Sequence, residues 1–317
     1  MKKLSIVVPV YFNESNIPHT IPELKKLRDL LPGYNLEFIF VDDGSGDNSF
    51  QLLLEERKKD DRIKVIKLSK NFGAHCAIQA GIYFATGDCV GVINADLQDP
   101  PELFSEMVKK WEKGSKVVIA ARKDREDPLL QKLFSNFFYF LMAKFAIKDY
   151  PRGGFDFVLF DKTIAAEISR INEKNTNIMS LIFWLGHKRS FIYYVRKKRA
   201  YGKSRWTFSK KIKHFSDSLV AFSYAPIRFI SFVGLITACV SFLYGAYTII
   251  DSIFGKIPIR GFTTLIAAIT FLLGLIMIML GIIGEYLWRI LDETRKRPSY
   301  VIDEIHIDKK DDEKEDN

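Results

Sequence analysis

Cysteine is scarce in this sequence, and its distribution excludes two common kinds of site. The 317 residues contain 3 cysteines, Cys76, Cys89 and Cys239, which are odd in number, far apart and without metal-ligand spacing. A disulfide framework and a zinc site are therefore not expected, and a reducing compartment fits best. A signal peptide is not expected either, because Pro9 interrupts the first apolar run and no small-residue cleavage pattern follows it. We expect that run to be a buried first strand.

Acidic charge is also in deficit, and the imbalance is local. Lys and Arg total 47 against 38 Asp and Glu, which gives a net charge of +9. Basic residues concentrate at positions 188 to 213, whereas the residues from Asp303 onward are mostly acidic and polar. The basic run indicates an anionic partner, either a membrane surface, a phosphate group or a nucleic acid. Nucleic acid is not expected, because the run leads directly into long apolar segments.

Short apolar runs alternate with amphipathic stretches from Leu4 to about Tyr201, which predicts an α/β domain with a mostly parallel, Rossmann-like sheet. The predicted strands are 4 to 10, 36 to 41, 63 to 68, 89 to 94 and 117 to 121. The predicted helices are 17 to 31, 49 to 59, 74 to 84 and 101 to 113. Ligands on such sheets bind beyond the carboxyl ends of the strands, so we expect the functional site there.

Two later segments, 229 to 250 and 262 to 287, are overwhelmingly apolar and free of charge except for Glu285. A hydrocarbon core needs roughly 20 such residues per helix, so each segment is long enough to cross it. The alternative is a pair of buried core helices. The flanks are basic on both outer sides, with Lys210, Lys211, Lys213 and Arg228 before the pair and Arg289, Arg295, Lys296 and Arg297 after it. Because cytoplasmic flanks are the basic ones, we predict a two-helix transmembrane hairpin over 229 to 291 with both ends in the cytoplasm.

This pattern predicts four regions: a cytoplasmic catalytic domain over 1 to 206, a juxtamembrane amphipathic helix over 207 to 228, the hairpin, and a charged, disordered cytoplasmic tail over 292 to 317. Within the first region, 129 to 147 is apolar with one polar stripe. We interpret it as an interfacial helix, with a third membrane span as the alternative. The predicted location is the inner (plasma) membrane, crossed more than once.

Oxygen-bearing side chains follow two of the predicted strands. Asp42 and Asp43 come before a Gly-Ser turn, where a carboxylate could accept hydrogen bonds from a ribose or base, although such turns are also ordinary structural punctuation. Asn94, Asp96 and Gln98 alternate after another strand, which places them on one side of an extended backbone. Hard cations such as Mg²⁺ or Mn²⁺ take oxygen ligands and share them with substrate phosphates, so this pattern indicates a metal site. A competing interpretation makes the following Asp99 a helix cap before two prolines.

Six ordered stretches resemble the family 2 glycosyltransferases of the GT-A fold, and more narrowly the polyprenyl-phosphate glycosyltransferases. They are IVVPVYFNE at 6 to 14, VDDGS at 41 to 45, NFGAHCAIQAG at 71 to 81, NADLQDPPE at 94 to 102, RGGFDFVLFD at 152 to 161 and RAYGKSRW at 199 to 206. The paired apolar segments resemble those of the bacterial undecaprenyl-phosphate glucosyltransferases within that group. The resemblance covers nearly the whole chain apart from the acidic tail.

The resemblance implies a role for particular residues. It implies that Pro9, Tyr11, Glu14 and Asp43 hold the nucleoside, that Asp96 and Gln98 bind Mg²⁺ or Mn²⁺, that Asp156 is the catalytic carboxylate, and that Arg199, Lys203, Ser204 and Arg205 engage phosphates. Asn94, also assigned to the nucleotide-sugar site, stands where the family has an acidic residue. Asn keeps a carbonyl oxygen but lacks the charge, so whether Asn94 ligates the metal is left open.

The expected reaction is inverting transfer of a hexose, glucose from UDP-glucose, to undecaprenyl phosphate in the membrane. A lipid phosphate has its second pKa near 6, so at neutral pH it is already a competent nucleophile and needs little help from a base. Asp156 is left with three roles: orienting the acceptor, taking a residual proton or meeting positive charge at the anomeric carbon. The alternatives are a GDP-mannose-dependent synthase, a processive polysaccharide synthase and a non-catalytic membrane scaffold. The oligomeric state is left open, with a homo-oligomer allowed.

Overall fold

The computed structural model of the chain describes residues 1 to 122, 151, 155 to 171, 173, 177 to 197, 225 to 253 and 261 to 307. The chain divides into two units, one formed by residues 1 to 218 with 298 to 317 and the other by residues 219 to 297. The predicted interfacial helix over 129 to 147 and positions 207 to 224 of the predicted juxtamembrane helix lie outside the described residues.

The first unit contains a mixed sheet with helices packed on its faces. In chain order its elements are β1 Lys2–Val10, α1 Ile17–Lys25, α2 Leu27–Leu30, β2 Tyr34–Asp42, α3 Ser49–Lys59, β3 Ile63–Leu68, α4 Ala74–Tyr83, β4 Cys89–Val92, a 3₁₀ turn Pro101–Leu103, α5 Phe104–Glu112, β5 Val117–Arg122, β6 Phe157–Asp161, α6 Lys162–Arg170, α7 Ile178–Trp184, β7 Arg189–Tyr194 and β8 Ile302–His306. The central strands are almost completely buried, as apolar strands covered on both faces should be.

The strand order is β7-β5-β6-β4-β1-β2-β3-β8. β1 pairs in parallel with β2 and β4, β2 with β3, and β5 with β7, whereas β6 is antiparallel to both β4 and β5. β5 and β7 therefore point in the same direction as β1. As a result, one side of the sheet collects the carboxyl ends of the parallel strands together with the beginning of β6. We call this side the carboxyl edge; the strands that end there are β1, β2, β4, β5 and β7. The predicted mostly parallel α/β sheet is confirmed.

One glycine shows how closely a helix approaches the sheet. A Cβ atom on Gly91 of β4 would come within 2.2 Å of the ring of Phe104, the first residue of α5. Phe104 and its neighbour Phe157 of β6 are fully buried, with ring centroids 4.8 Å apart. Only a residue without a side chain fits at position 91, and this contact fixes α5 behind the strands whose ends form the carboxyl edge.

The prediction of a disordered tail over 292 to 317 is wrong for Ile302–His306. These residues form β8, which pairs antiparallel with β3 at the edge of the sheet. The acidic side chains that indicated disorder have partners in the fold, since Lys67 Nζ lies 2.9 Å from Asp303 Oδ2 and 3.0 Å from Glu304 Oε1. An edge strand tolerates such charges because one of its sides faces water.

The second unit consists of α8, Ala225–Ile253, and α9, Phe262–Thr294. Ile227–Tyr244 and Phe271–Thr294 are long and apolar enough to cross a membrane. Large apolar side chains are exposed on both helices, for example Phe232, Phe242, Phe271 and Met277. So much exposed apolar surface is unfavourable in water and indicates membrane association. At Gly234 the two helices approach closely, because a Cβ there would lie 2.8 Å from Met279 Cε.

Candidate active site

Asp43 ties the end of β2 to the loop before α4. Its buried carboxylate accepts hydrogen bonds from the backbone N–H groups of Phe72, at 2.7 Å, and Gly73, at 2.9 Å. The turn that follows requires Gly44, whose φ is 65° and where a Cβ would lie 2.5 Å from the backbone of Lys70. The loop over 70 to 73 is thus held against the end of β2. In this structure the carboxylate of Asp43 organises that loop.

The other residues assigned to the nucleoside lie beside Asp43 at the carboxyl edge. The N–H of Asp43 donates to the carbonyl of Val10 at 2.8 Å, which places the ends of β1 and β2 side by side. Pro9 is paired with Val41, and Tyr11 follows directly on β1. Glu14 Oε2 accepts the N–H of Asn48 at 3.1 Å, which links the loops after β1 and β2. The pairing of β1 with β2, together with the contact between the loops that follow them, brings Pro9, Tyr11, Glu14 and Asp43 to the same edge.

The segment after β4 differs from the sequence prediction. The strand ends at Val92, and a turn follows in which Leu97 has a φ of 52°. Asn94, Asp96 and Gln98 therefore do not share one side of an extended backbone. Asp96 is buried, and its Oδ1 accepts the N–H of Gln98 at 3.3 Å. Gln98 Nε2 donates to the carbonyl of Lys197 at 3.2 Å, which anchors the turn to the segment after β7.

Asp156 and Arg122 form an ion pair across the carboxyl edge. Asp156 directly precedes β6, and Arg122 is the last residue of β5, so the antiparallel pairing of these strands brings them together. Arg122 is buried, whereas the side chain of Asp156 is about half exposed. Burial would raise the pKa of Asp156, but the guanidinium groups of Arg122 and Arg196 outweigh it and lower that pKa to about 2. Asp156 is therefore a carboxylate at any physiological pH.

A second buried carboxylate, Asp99, joins the turn after β4 to β7. It accepts a hydrogen bond from the Tyr194 hydroxyl, and its Oδ1 lies 3.3 Å from Arg196 Nε. Arg196 Nη2 lies 4.0 Å from Asp96 Oδ2, so Arg196 stands between Asp99 and Asp96. Burial raises the pKa of Asp99 and of Tyr194. We call Asp96, Asp99, Arg122, Asp156, Tyr194 and Arg196 the edge cluster.

Three members of the edge cluster were not predicted as site residues from the sequence, and a fourth was interpreted as a helix cap. Arg122 and Arg196 each follow an apolar run, and a basic residue directly after a buried strand is the signal that could have identified them. Tyr194 carried no signal, because it reads as one more apolar strand residue. The helix-cap interpretation of Asp99 is wrong: the residue before the 3₁₀ turn is Pro100, and no side chain caps that turn.

The oxygen ligands at the turn after β4 fit a divalent metal ion whose coordination is completed by a substrate. Across the described ranges, no group of three or more His, Cys, Asp and Glu side chains is arranged to hold a metal ion. Asp96 offers one carboxylate, with amide oxygens on Asn94 and Gln98 nearby in the chain. Mg²⁺ and Mn²⁺ accept such oxygen ligands when phosphate oxygens complete the set. Asp96 is therefore the residue on which a metal would depend.

Comparison with known proteins identifies the family. A model described as glycosyl transferase family 2 matches residues 5 to 169, and a model described as the GtrB C-terminal hairpin matches residues 225 to 290. The chain belongs to glycosyltransferase family 2. It is therefore an enzyme that transfers glycosyl groups, which excludes the alternative of a non-catalytic scaffold. The first match covers most of β1, β2 to β6 and the edge-cluster residues Asp96, Asp99, Arg122 and Asp156, and the second covers α8 and most of α9.

Full-length relatives of this family 2 glycosyltransferase include an uncharacterized glycosyltransferase, YkcC, of Bacillus subtilis (strain 168). The two chains are 38% identical over 94% of this chain and 92% of the relative. A prophage-derived bactoprenol glucosyl transferase of Shigella flexneri is 33% identical over 96% of this chain and 98% of the relative. Among solved structures, a mannosyltransferase from Pyrobaculum calidifontis in complex with GDP-Man and Mn2+ has a TM-score of 0.47, at 16% identity over 67% of this chain and 60% of that one. A likeness this weak carries no argument about ligands.

The residues assigned to phosphate binding, Arg199, Lys203, Ser204 and Arg205, lie outside the described residues. The described chain reaches Lys197, whose Nζ lies 3.6 Å from Glu102 Oε1. Lys197, two positions before Arg199 in the sequence, therefore lies beside the turn after β4, at the carboxyl edge. Their phosphate-binding role stays a prediction.

Proposed function

We propose that this family 2 glycosyltransferase transfers glucose from UDP-glucose to undecaprenyl phosphate with inversion, giving a lipid-linked sugar for cell-envelope glycosylation. The observation that carries the proposal is the ion pair of Asp156 with Arg122 at the carboxyl edge, beside the residues assigned to the nucleoside. The acceptor is supported by the bactoprenol glucosyl transferases, which are related to this chain over nearly its whole length. The hairpin that follows the catalytic domain supports a substrate that stays in the bilayer.

The charge state of Asp156 favours one of its three candidate roles. Its pKa of about 2 lies far below the second pKa of a lipid phosphate, which is about 6. Proton transfer from the acceptor to Asp156 is therefore strongly uphill, and Asp156 is a poor general base. A fixed carboxylate is instead suited to stabilise the positive charge that develops at the anomeric carbon. The acceptor phosphate, already a dianion at neutral pH, attacks directly and inverts that carbon.

The departing nucleoside diphosphate needs positive charge. Arg196 and Arg122 of the edge cluster supply two cations, and Arg199, Lys203 and Arg205 follow in the sequence. A divalent cation held by Asp96, with Gln98 and Asn94 as further oxygen donors, would add electrostatic stabilisation of the leaving diphosphate. Asp96 then has two functions: it holds the cation and fixes the turn through the N–H of Gln98.

The proposed membrane orientation places the catalytic domain and both flanks of the hairpin in the cytoplasm. The chain leaves the first unit before α8 and returns to it after α9, where β8 joins the sheet. If both helices cross the membrane, this connectivity favours an arrangement in which they begin and end on the same side. Arg228 before the spans and Arg295, Lys296 and Arg297 after them favour the cytoplasmic side.

This function can be tested with a panel of UDP- and GDP-sugars that are radiolabelled in the sugar. Each is incubated with the purified full-length chain, Mg²⁺ or Mn²⁺ and undecaprenyl phosphate. We expect label from UDP-glucose to enter the organic phase, to do so only when the lipid phosphate is present, and to stay in the aqueous phase when the metal is chelated. GDP-mannose as the preferred donor would replace the proposal with a mannose synthase. Long water-soluble polymer would indicate a processive synthase, although Gly202 stands where the QxxRW motif of those enzymes has Gln.

A further inference from the structure

Asp99 is buried more deeply than any role proposed so far requires. Its side chain is fully inaccessible, yet it lies next to the cation of Arg196, whose guanidinium also lies 4.0 Å from Asp96. Neither of the alternative explanations for Asp99 fits. It caps no helix, and it does not reach solvent where a substrate would meet it.

Burying a carboxylate is not an efficient way to stabilise a fold. The desolvation penalty of a buried ion pair often exceeds its Coulombic gain, and well-packed apolar residues serve stability as well or better. The network around Asp99 is also incomplete as a structural element. Asp99 Oδ2, Arg122 Nε and Arg196 Nε are all buried without a hydrogen-bond partner in the part of the chain that the structure describes, so Arg196 Nε and Asp99 are in ion-pair contact without a hydrogen bond. Such unsatisfied groups are kept where geometry matters more than stability.

The geometry shows what Asp99 does to Arg196. Arg196 Nε lies 3.3 Å from Asp99 Oδ1, whereas Arg196 Nη2 lies 4.0 Å from Asp96 Oδ2. The guanidinium is therefore closer to Asp99 than to Asp96. The Tyr194 hydroxyl donates to the same Asp99 carboxylate and fixes its direction from the strand.

We propose that Asp99, oriented by Tyr194, is a positioning residue that holds the Arg196 guanidinium at the carboxyl edge, where it can stabilise the departing diphosphate of the donor. This inference rests on the proposed function, because one of its assays uses the lipid acceptor, whereas the positioning role itself requires only glycosyl transfer. Without the Asp99 carboxylate, Arg196 loses the anionic group that lies 3.3 Å from its Nε and can move toward Asp96. Its charge would then be directed at Asp96 and less at the donor.

Three variants of the full-length chain test the inference. Asp99→Asn keeps the shape and removes the charge, and Tyr194→Phe keeps the buried ring and removes the hydroxyl. Ser190→Ala is the matched control: it removes a hydrogen bond from the same face of β7, the 2.6 Å contact between the hydroxyls of Ser190 and Ser115. Each is assayed for kcat and for the KM of both substrates with undecaprenyl phosphate present. Slow hydrolysis of the donor without lipid and the unfolding temperature are measured alongside.

We expect Asp99→Asn to lower kcat at least about 30-fold and Tyr194→Phe about 5-fold, in both assays, with Ser190→Ala within about twofold of the wild type. If Asp99→Asn does not fold, Tyr194→Phe decides. Wild-type kcat in the folded variants would overturn the positioning role, as would an equal loss in Ser190→Ala. A wild-type chain that hydrolyses the donor but makes no lipid product would refute the proposed acceptor instead, and the hydrolysis rates would still test Asp99.

Discussion

The ion pair between Asp156 and Arg122 determines the protonation state of the carboxylate on which the proposed chemistry depends. Burial alone would raise the pKa of Asp156, and the two nearby arginines hold it at about 2. The wild-type enzyme should therefore lose no activity through protonation of Asp156 above about pH 4. We expect any decline in the rate of transfer to the lipid acceptor at acidic pH to come from the acceptor phosphate, whose pKa is near 6.

Arg122→Gln removes the nearer cation, so the pKa of Asp156 should rise. Because the ionised form is the active one, activity should then be lost as the pH falls through the raised pKa. The measurement is the rate of donor hydrolysis between pH 4 and pH 8, without lipid acceptor. Lys116→Gln is the control, since Lys116 pairs with Asp161 at 3.1 Å at the opposite end of β5 and β6. A flat profile in Arg122→Gln would argue against control of Asp156 by Arg122.

Single residues also mark the limit of sequence-based prediction. Asp43, Asp96 and Asp156 could be assigned because each lies in a motif, and the strand order places all three at one edge. The partners of Arg122, Tyr194 and Arg196 could not be predicted, because each of these residues lies at or just after a strand end whose neighbours are distant in sequence. Arg122 meets Asp156 across 34 positions, and Tyr194 meets Asp99 across 95. Pairing of β5 with β6 and β7, which hydropathy does not reveal, creates these contacts.

At the scale of elements, β8 is the largest departure from expectation. It extends the sheet beyond β3, and the N–H of Ser69 donates to the carbonyl of Val301 at 2.9 Å. Ser69 leads directly into the loop whose N–H groups bind Asp43. The strand that follows the hairpin therefore supports the loop that borders the proposed nucleoside site. Composition concealed this, because an acidic strand and an acidic tail look alike in sequence.

Removal of β8 should weaken donor binding. A chain that stops after Pro298 loses the Ser69 contact and exposes β3 as a sheet edge, so we expect the KM for the donor to rise about fivefold, the effect of about 1 kcal/mol. Aggregation on warming should also increase. A chain that stops after Ile307 keeps β8 and is the matched control. Equal donor KM values for the two truncated chains would show that β8 does not support the loop.

Two neighbouring strands whose sequences are nearly all apolar contain a buried pair of opposite charges. Glu37 of β2 is buried and lies 2.8 Å from Nζ of the buried Lys64 on β3. Its carboxylate also accepts the Thr86 hydroxyl at 2.9 Å. Burial opposes ionisation, but Lys64 and Ser5 outweigh it and lower the pKa of Glu37 to about 2. The pair fixes the register of β2 and β3 at the end of the sheet away from the carboxyl edge.

At the scale of the whole molecule, hydropathy predicted the hairpin well and the connectivity adds a constraint. The helices Ala225–Ile253 and Phe262–Thr294 contain the predicted spans, and the hairpin model matches residues 225 to 290. The return of the chain to the catalytic sheet through β8 could not be predicted from hydropathy. In the proposed topology it places both flanks of the two helices on one side of the membrane. The proposed enzyme would then take its donor from water on that side and its acceptor from the bilayer.

Sealed membrane vesicles of known orientation test that claim most directly. A nucleotide sugar does not cross a sealed bilayer, so vesicles with the cytoplasmic face outward should incorporate label from UDP-glucose into an organic-extractable lipid. The label should increase with added undecaprenyl phosphate. Sealed vesicles of the opposite orientation should do so only after permeabilisation. No lipid-linked label from the cytoplasmic-face-out vesicles, or equal label from both sealed preparations, would contradict the account.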